Sequence, residues 1–305
     1  AVSKLQSYNQ GDGYVSWMPL PHTFGACLDL GGWPFFAFHM RVVDSPLHSV
    51  DYAKMCNPAL FASVPRVYEK LASNLNAGLG GKIKLLGVPV LGGIIKKKAR
   101  QAIGFGNVQF AITGAAPISD SIMELFHKLE IPLYSGFGLT ETTAGHSLEH
   151  HSAHRLGSVG KGLEGTETKI ADNGEIWIKG PHVMKGYYKR PEATAEAIRN
   201  GWYHTGDLAT MDTDGYVTIV GRTKELIIRG GFNVYPAEVE DVLSNHPKVA
   251  IAAVIGISHE RYGEEIKAFI VPHGDTALEA DEIIAWARDN MASHKYPRIV
   301  QIRQD

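Results

Sequence analysis

Residues 137–141, Phe-Gly-Leu-Thr-Glu, bring an aromatic ring, a flexible backbone point, a hydroxyl and a carboxylate together. They follow an apolar run at 131–134 that predicts a β-strand, and ligands of open α/β sheets bind beyond the carboxyl ends of the strands. These residue types indicate a purine stacked on Phe137 and Mg²⁺ bound by Glu141, because this hard cation takes carboxylate oxygens. A loop with a helix-capping threonine would have the same sequence, so the motif alone leaves both interpretations open.

An acid and a guanidinium are brought together by a predicted hairpin. Asp214-Gly215, between apolar segments 208–213 and 216–220, predicts a two-residue type I′ turn. In that register Asp207 lies opposite Arg222, with their Cβ atoms about 5 Å apart. The pair fits a grip on the two hydroxyls of a diol, and it equally fits a plain cross-strand ion pair.

Two further segments have almost no side chain. Gly114-Ala115-Ala116 follows an apolar run and leaves backbone groups free to meet a flat base, although close helix packing explains the same composition. Gly230-Gly231 offers a smooth surface to a thin substrate arm, or forms an ordinary β-turn.

Strands alternate with helices over the first 180 residues, which predicts a sheet covered by helices. Residues 107–113 and 174–180 read as strands, and 118–129 has one apolar helical face. A helix with Pro191 at its first position is expected to run to Gly201, where glycine takes the left-handed cap.

The last 80 or so residues read as a small α+β domain of their own. The boundary is placed at Arg222 to Glu225. The expected elements are strands at 226–228, 249–257 and 266–271 and helices from Pro236 and over 280–291.

The composition excludes several classes of protein. With 305 residues, 44% of them hydrophobic, the chain is long enough for about two ordinary globular domains. A net charge of −2 gives no general attraction to nucleic acid, and the basic cluster at 96–100 is interpreted as a solvated helix face. The apolar stretch at 17–40 is interrupted by His22 and Asp29, which favours buried elements over a membrane span. Two cysteines and the absence of a signal peptide predict a reducing, cytoplasmic location.

Four histidines, His146, His150, His151 and His154, include two pairs four residues apart, a spacing that suits a metal if the segment is helical. No cysteine or carboxylate set accompanies them at matching spacing, so a polar loop is the preferred interpretation.

Taken together, these segments resemble the adenylate-forming superfamily, which comprises acyl-CoA synthetases, adenylation domains of peptide synthetases and beetle luciferases. The resemblance covers essentially the whole chain. It is carried by PLPHTFG (19–25), ITGAAPIS (112–119), YSGFGLTE (134–141), GEIWIKG (174–180), GWYHTGD (201–207), GRTKELIIRGGFNVYPAEVE (221–240) and KYPR (295–298). SVPRVYEKL (63–71) and VMKGYYKRPEATAEAI (183–198) look most similar to fatty-acyl-CoA ligases.

The resemblance implies an α/β fold in which residues 1–221 are part of the large adenylate-forming N-terminal domain, with helix-covered sheets and a small β-rich subdomain. Residues 222–225 would be a hinge, and 226–305 a mobile C-terminal α+β domain. The implied activity is that of a fatty acid-CoA ligase, in which the carboxylate and ATP give acyl-AMP and pyrophosphate, and coenzyme A then displaces AMP. ATP or AMP, Mg²⁺, coenzyme A and a fatty acid or related carboxylate are the implied ligands. Peripheral membrane contact and the oligomeric state stay open.

The resemblance also implies roles for single residues. The implied catalytic residues are Thr140, Glu141, Arg222 and Lys224, with Glu141 also the metal ligand and Lys224 at the hinge. The residues implied to bind nucleotide or coenzyme A are Gly114, Ala115, Ala116, Phe137, Gly138, Asp207, Arg222, Gly230 and Gly231. His22 would lie at the mouth of the acyl pocket. The family usually has Tyr where Phe137 stands, a change that preserves stacking.

Two family elements are missing from the sequence. The 18 residues before PLPHTFG do not contain the Ser/Thr/Gly-rich phosphate loop, and the catalytic lysine expected beyond KYPR lies past Asp305. Both normally meet the charge of the triphosphate, so we expect the 305-residue chain alone to adenylate carboxylates negligibly, while an intact parent is competent. The alternative hypothesis is a non-catalytic nucleotide or acyl-adenylate binder that has lost both elements.

Overall fold

The computed structural model describes residues 8–45, 48–274 and 276–304. The chain divides into two compact units. One unit extends to Thr168 and also includes Ile178–Tyr203 and Met211–Thr218. The other comprises Lys169–Trp177, His204–Thr210 and the described residues from Ile219 onward.

The first unit is built on a mixed sheet. Its strands are β1 (Gly13–Ser16), β2 (His39–Val42), β3 (Leu60–Ser63), β4 (Phe110–Thr113), β5 (Leu133–Phe137), β6 (Ser147–Leu148) and β7 (Lys161–Gly162). Their order is β2-β1-β3-β4-β5-β6-β7. The first five pair in parallel, and β6 and β7 continue the sheet antiparallel. The carboxyl ends of the parallel strands therefore share one edge.

Helices supply the crossovers that parallel strands require. They are α1 (Thr23–Ala26), α2 (Trp33–Phe36), α3 (Ser49–Cys56), α4 (Pro65–Leu79), α5 (Leu91–Ala102) and α6 (Asp120–Lys128). Another helix, α7 (Pro191–Ala197), follows the strands of this sheet in the chain and connects none of them. A π-helical turn, Cys27–Gly32, joins α1 to α2, and two 3₁₀ turns occupy Gly80–Leu85 and Thr140–Thr142. Alternate residues of β3 face two cores: Phe61 packs with Tyr68 and Phe126, whereas Leu60 packs with Phe110.

The predicted strands and helix around the candidate ligand site are confirmed, with tighter bounds. The strand predicted at 107–113 occupies only β4, and the helix predicted at 118–129 is α6. β4 is shorter than the predicted strand and contains only four residues, all of which are buried.

A second sheet contains β8 (Glu167–Ile170), β9 (Glu175–Lys179), β10 (Ile198–Arg199), β11 (Trp202–Met211) and β12 (Val217–Arg222). Its order is β10-β11-β9-β8, with β12 paired to β11. The helix expected to run to Gly201 instead ends at Ala197, because Ile198 and Arg199 pair with Tyr203 and Trp202. Gly201, at φ +79°, belongs to the turn of that hairpin and does not cap the helix.

The predicted type I′ turn at Asp214-Gly215 is wrong. The amide of Gly215 donates to the carbonyl of Asp212 at 3.0 Å, and the amide of Asp212 donates to the carbonyl of Tyr216 at 3.1 Å. Gly215 has a φ of +86°, and Asp214 is not among the described residues with positive φ, as a type I′ turn would require. The Asp212 carboxylate accepts from the amides of Asp214 and Tyr216, which stabilises a longer, three-residue loop.

The C-terminal part of the second unit is an α+β fold, as expected. Its strands are β13 (Ile227–Arg229), β14 (Phe232–Val234), β15 (Val249–His259), β16 (Gly263–Pro272) and β17 (Ile299–Ile302), in the order β14-β13-β16-β15 with β17 on β16. Helices α8 (Pro236–Ser244) and α9 (Ala280–Asn290) confirm the two predicted there. Their apolar faces, including Val239, Leu243, Ile283 and Ala287, are buried in one core with the sheet.

The apolar stretch at 17–40 is only partly buried. Leu30 and Phe35 are 65% and 70% exposed, so the expectation of buried elements is wrong for these side chains. They lie on the short helical segments between β1 and β2, too short to bury every face. None of the helices described here is long and apolar enough to cross a membrane.

Candidate functional site

The segments after β4 and β5 meet at the carboxyl edge of the first sheet. Thr113 of β4 pairs with Ser135 of β5, so the chain leaves both strands side by side. A Cβ on Gly114 would lie 3.0 Å from the carbonyl oxygen of Gly136, which shows how closely the two backbones approach. Ala115 follows in the left-handed region, at φ +68°, and is exposed. The side-chain-poor segment is therefore an exposed edge beside β5.

Position 138 requires glycine because the backbone of the same loop passes very close to it. A Cβ there would overlap the backbone of Ala144 and Gly145. Thr143 and Ala144 are both left-handed, at φ +52° and +66°, a conformation that residues other than glycine adopt at a cost. The loop after β5 is thus folded back tightly on itself.

A threonine does cap the turn, but it is Thr142. The amide of Leu139 donates to the Thr142 hydroxyl at 2.9 Å, and this hydroxyl donates to the carbonyl of Leu139 at 3.2 Å. Thr140 is exposed, one residue before Glu141. A capping threonine and a ligand-binding threonine can therefore both occur in this loop, because Thr142 caps the turn and Thr140 stays exposed.

The carboxylate of Glu141 is held by a residue that sequence reasoning missed. The hydroxyl of Tyr187 donates to Oε1 of Glu141 at 2.8 Å, and the amide of Met184 donates to the Glu141 carbonyl at 2.7 Å. Burial, followed by this hydrogen bond, raises the pKa of Tyr187. Tyr187 also lines an open groove of about 550 Å³ together with Lys185 and Thr194. Glu141 and Tyr187 are 46 residues apart, so no local pattern signals their contact.

The donor chemistry of Glu141 suits Mg²⁺. Its carboxylate is partly exposed, and Tyr187 bonds only one of its two oxygens. A carboxylate oxygen is a ligand that Mg²⁺ accepts, usually together with water and phosphate oxygens. No group of three or more His, Cys, Asp or Glu side chains suited to a metal occurs among the described residues, so this carboxylate would share the ion with other ligands.

The four histidines do not lie on a helix. His146 precedes β6, and His150 forms a bridge with Ala153, so the pairs four residues apart share no helical face. His146 is fully buried, with Nδ1 3.2 Å from Nε2 of His182 and Nε2 2.8 Å from the Thr168 hydroxyl. Burial and the neighbouring His182 lower the pKa of His146 to about 4.

A buried carboxylate next to these histidines was also missed. Glu149 is 1% exposed and accepts hydrogen bonds from the amides of Ser135 and Arg155 at 3.0 and 2.9 Å. The hydroxyl of Ser158 donates to the same carboxylate at 3.2 Å, and Nδ1 of His154 lies 3.0 Å away. Glu149 therefore fixes the end of β5, which carries Phe137.

In the second unit, the predicted meeting of Asp207 and Arg222 is confirmed. Nε of Arg222 lies 3.3 Å from Oδ1 of Asp207. The amide of Thr223 donates to the carbonyl of Gly206 at 2.8 Å, which sets 207 opposite 222 as expected, despite the different turn. Asp207 is buried and Arg222 is exposed, and burial raises the pKa of Asp207 although Arg222 opposes the rise.

The Gly230-Gly231 turn is present and firmly anchored. Both glycines are left-handed, at φ +58° and +84°. Arg229 forms a bidentate pair with Glu265 at 2.5 and 2.9 Å, and its guanidinium lies 4.5 Å from the ring centre of Tyr262. The amide of Gly230 donates to the carbonyl of Tyr262 at 2.8 Å.

Two other predicted site residues lie on the surface. Lys224 is exposed in the turn that follows β12. His22 is exposed and caps α1, its Nδ1 accepting from the amide of Phe24 at 3.3 Å. The observed contact of His22 is therefore a helix cap.

Comparison with protein families gives two matches. The family described as AMP-binding enzyme matches residues 1–188, and that described as AMP-binding enzyme C-terminal domain matches residues 238–305. A feruloyl-CoA synthase of Amycolatopsis is 37% identical over 230 residues, covering 71% of this chain and 47% of that protein. A long-chain-fatty-acid–CoA ligase of Salmonella typhimurium is 37% identical over 228 residues, covering 70% of this chain and 40% of that protein. The chain thus spans about half the length of the curated relatives it matches.

Solved structures share the fold. ATP-bound MatB from Rhodopseudomonas palustris superimposes with a TM-score of 0.82 at 26% identity, covering all of this chain and 58% of that one. The o-succinylbenzoate CoA synthetase MenE of Bacillus subtilis, in complex with its acyl-adenylate intermediate, gives 0.80 at 26% identity and covers 60% of that chain.

Proposed function

The chain belongs to the AMP-binding enzyme family, and from that premise we propose that it is the nucleotide- and acyl-binding part of an ATP-dependent fatty acid-CoA ligase. Two features support the proposal, one in each unit. One is a partly exposed carboxylate, Glu141, which follows Phe137 by four residues in the loop after the carboxyl end of β5. The other is the Asp207–Arg222 pair.

In this proposal the first feature binds the base and the phosphates of a nucleotide. Phe137 stacks on adenine, and Gly114, Ala115 and Ala116 line the base with backbone groups. The exposed hydroxyl of Thr140 donates to a phosphate oxygen. The tight fold of the loop at Gly138 keeps these groups in place before the nucleotide arrives, so little ordering remains to be done on binding.

Glu141 would hold the metal of the nucleotide in the same proposal. When bound there, Mg²⁺ would supply positive charge that offsets the charge of the phosphates. The contribution of this chain is orientation, because the hydrogen bond from Tyr187 fixes one Glu141 oxygen and leaves the other free.

Asp207 and Arg222 would hold the ribose. A carboxylate can accept hydrogen bonds from both hydroxyls of a diol, and the guanidinium can donate to them. Asp207 is buried whereas Arg222 is exposed, so the acid is the fixed member and the guanidinium can move onto the ligand.

The remaining roles follow the family pattern. Lys224 is proposed as the hinge residue, within 222–225, between a large domain at 1–221 and a mobile domain at 226–305. The anchored Gly230-Gly231 turn would line the path of the coenzyme A arm, where side chains would obstruct it. His22 would lie at the mouth of the acyl pocket.

The finer choice of acid is part of the proposal. Long-chain-fatty-acid–CoA ligases of several bacteria match this chain at 35 to 37% identity, which supports a fatty acid. The feruloyl-CoA synthase matches equally well, so an aromatic acid is the second candidate.

Pyrophosphate exchange tests the proposal. The protein as its gene encodes it is incubated with Mg·ATP, labelled pyrophosphate and one acid at a time, from acetate to palmitate and including ferulate. We expect exchange to be greatest with a fatty acid of medium or long chain. Exchange with ferulate alone would show that the substrate is an aromatic acid and not a fatty acid. Nucleotide binding without exchange for any acid would favour the alternative hypothesis of a non-catalytic nucleotide-binding protein.

A further inference from the structure

Residues 70–119 contain no aspartate or glutamate, although the chain as a whole has a net charge of −2. The same stretch contains seven basic residues, which are Lys70, Lys82, Lys84, Lys96, Lys97, Lys98 and Arg100. This part of the first unit therefore carries a net positive charge, although the chain as a whole does not.

Two of these basic groups are engaged with the protein itself. Nζ of Lys96 lies 2.8 Å from Oε1 of Glu130, and Arg100 donates to the Glu130 carbonyl at 3.3 Å. The other five of these basic residues, all within the described ranges, are exposed lysines for which the structure shows no ion pair, namely Lys70, Lys82, Lys84, Lys97 and Lys98. The interpretation of the basic cluster at 96–100 as a solvated face is thus confirmed for Lys97 and Lys98 but is wrong for Lys96 and Arg100.

Large apolar side chains are exposed among these lysines. They are Leu85, Val88, Val90, Leu91 and Ile94, and Val90 and Ile94 are 82% and 50% exposed. Single exposed apolar residues are ordinary, but five within ten residues of sequence form an apolar patch, and such patches are typical of interaction sites. We name residues 82–98 the basic-apolar surface.

Local packing holds this surface together. The 3₁₀ turn Gly80–Leu85 runs into α5, and a Cβ on Gly92 would overlap the carbonyl of Leu86, so the two segments touch. Along α5, Ile94 follows Leu91 by three residues and precedes Lys97 by three, a spacing that places them on one helix face. Buried Ala99 lies on the opposite side.

We propose that the basic-apolar surface docks this protein onto an anionic membrane. The apolar side chains enter the boundary between head groups and acyl chains, and the lysines stay at the level of the anionic head groups. Nucleic acid would engage the lysines but leave the apolar side chains in water, and residues 82–98 contain no aromatic ring to stack on bases. The proposal goes beyond the proposed function and does not depend on it, although a fatty-acid ligase at a membrane would meet its apolar substrate there.

Vesicle binding tests the proposal directly. The purified chain is sedimented with vesicles of phosphatidylcholine alone or of phosphatidylcholine with phosphatidylglycerol, at low and high salt. We expect binding to the anionic vesicles only, weakened by salt because screening reduces the attraction.

Two double variants separate the charged from the apolar contribution. Lys97→Gln with Lys98→Gln lowers the partition coefficient by about 25-fold, at about fivefold per lysine. Val90→Ser with Ile94→Ser lowers it by about tenfold although every lysine remains. Lys185→Gln with Lys189→Gln removes the same charge from an exposed segment elsewhere and leaves binding unchanged.

Each other result counts against the proposal. Equal binding to both vesicle types, no binding to anionic vesicles, or an equal loss in the control variant would overturn it. A chain that fails to bind vesicles is instead tested on a polyglutamate column. If the unaltered chain and the double variant Val90→Ser with Ile94→Ser are retained equally there, the surface binds an acidic protein and not a membrane. A thermal melt of each variant confirms that the substituted surface positions leave the chain folded.

Discussion

In the proposed function, the hydroxyl of Tyr187 orients the carboxylate of Glu141 for a metal. The hydrogen bond of 2.8 Å occupies Oε1 and restricts the rotation of the carboxylate, which leaves the second oxygen in a defined direction. In the proposed function, the contribution of this contact to a bound metal is one of orientation.

Replacing Tyr187 with Phe removes that hydroxyl, which is also hydrogen-bonded to the side chain of Tyr203. We expect Mn²⁺, used as a spectroscopic substitute for Mg²⁺, to bind the ATP complex about three- to tenfold more weakly, since the freed carboxylate loses its orientation. AMP binding without metal should be unchanged. Electron paramagnetic resonance of Mn²⁺ measures the first quantity and calorimetry the second.

Tyr188→Phe is the matched control, because Tyr188 is 85% exposed and does not bond Glu141 in the described structure. Glu141→Gln should abolish most of the Mn²⁺ binding. If Glu141→Gln weakens Mn²⁺ binding and Tyr187→Phe does not, the positioning role is wrong while the metal ligand stands.

His146 makes stability depend on pH. Its pKa of about 4 in the folded chain lies below the ordinary value of 6.5, so the folded state keeps it neutral while the unfolded state takes up a proton. The free energy of unfolding therefore falls as the pH drops from 6.5 towards 4, by about 2 kcal/mol at pH 5.

Urea denaturation at pH 7 and pH 5 measures this effect. His146→Gln should reduce the difference between the two pH values, whereas His151→Gln, at an exposed position, should retain it. An unchanged difference in His146→Gln would show that other groups cause the acid sensitivity.

At the scale of the elements, the loop after β5 is the part that tolerates least change. Gly138→Ala should lower the free energy of unfolding by about 1 to 3 kcal/mol, because its Cβ would overlap the backbone of Ala144. Gly93→Ala, in α5, has no atom within 4 Å of the new Cβ and should raise it by about 0.5 to 1 kcal/mol. Thermal or urea denaturation distinguishes the two, and equal effects would contradict the packing described for Gly138.

The elements were predictable from sequence where local periodicity decides them. The apolar face of 118–129 and Pro at the first position of α7 and α8 placed helices correctly. The end of α7 was not predictable, because Ile198 forms a strand with Tyr203 and pairing overrides helix propensity.

The candidate site was predictable only in part. The Asp207–Arg222 pair was predicted from the register of a hairpin. The predicted turn type was wrong, but the pair is correct because Thr223 bonds Gly206 in the register that was expected. The Glu141–Tyr187 contact spans 46 residues and the His146–His182 contact spans 36, and the sheet that creates them is assembled from distant strands.

At the scale of the whole molecule, the proposed hinge predicts where a protease cuts first. Residues 222–225 are exposed and include Arg222 and Lys224, two sites for trypsin. Brief digestion should release a fragment that begins at Thr223 or Glu225, identified by mass spectrometry. Prior cleavage inside 226–305 would argue against a domain boundary there.

The nucleotide-binding roles proposed for Phe137 and for Asp207 are tested most directly by calorimetric titration of the chain with AMP. We predict that AMP binds, with an affinity that falls at least about tenfold in Phe137→Ala, which removes the proposed stacking, and in Asp207→Asn, which removes the proposed ribose contact. An affinity that neither substitution alters, or no AMP binding by the unaltered chain, would contradict both roles.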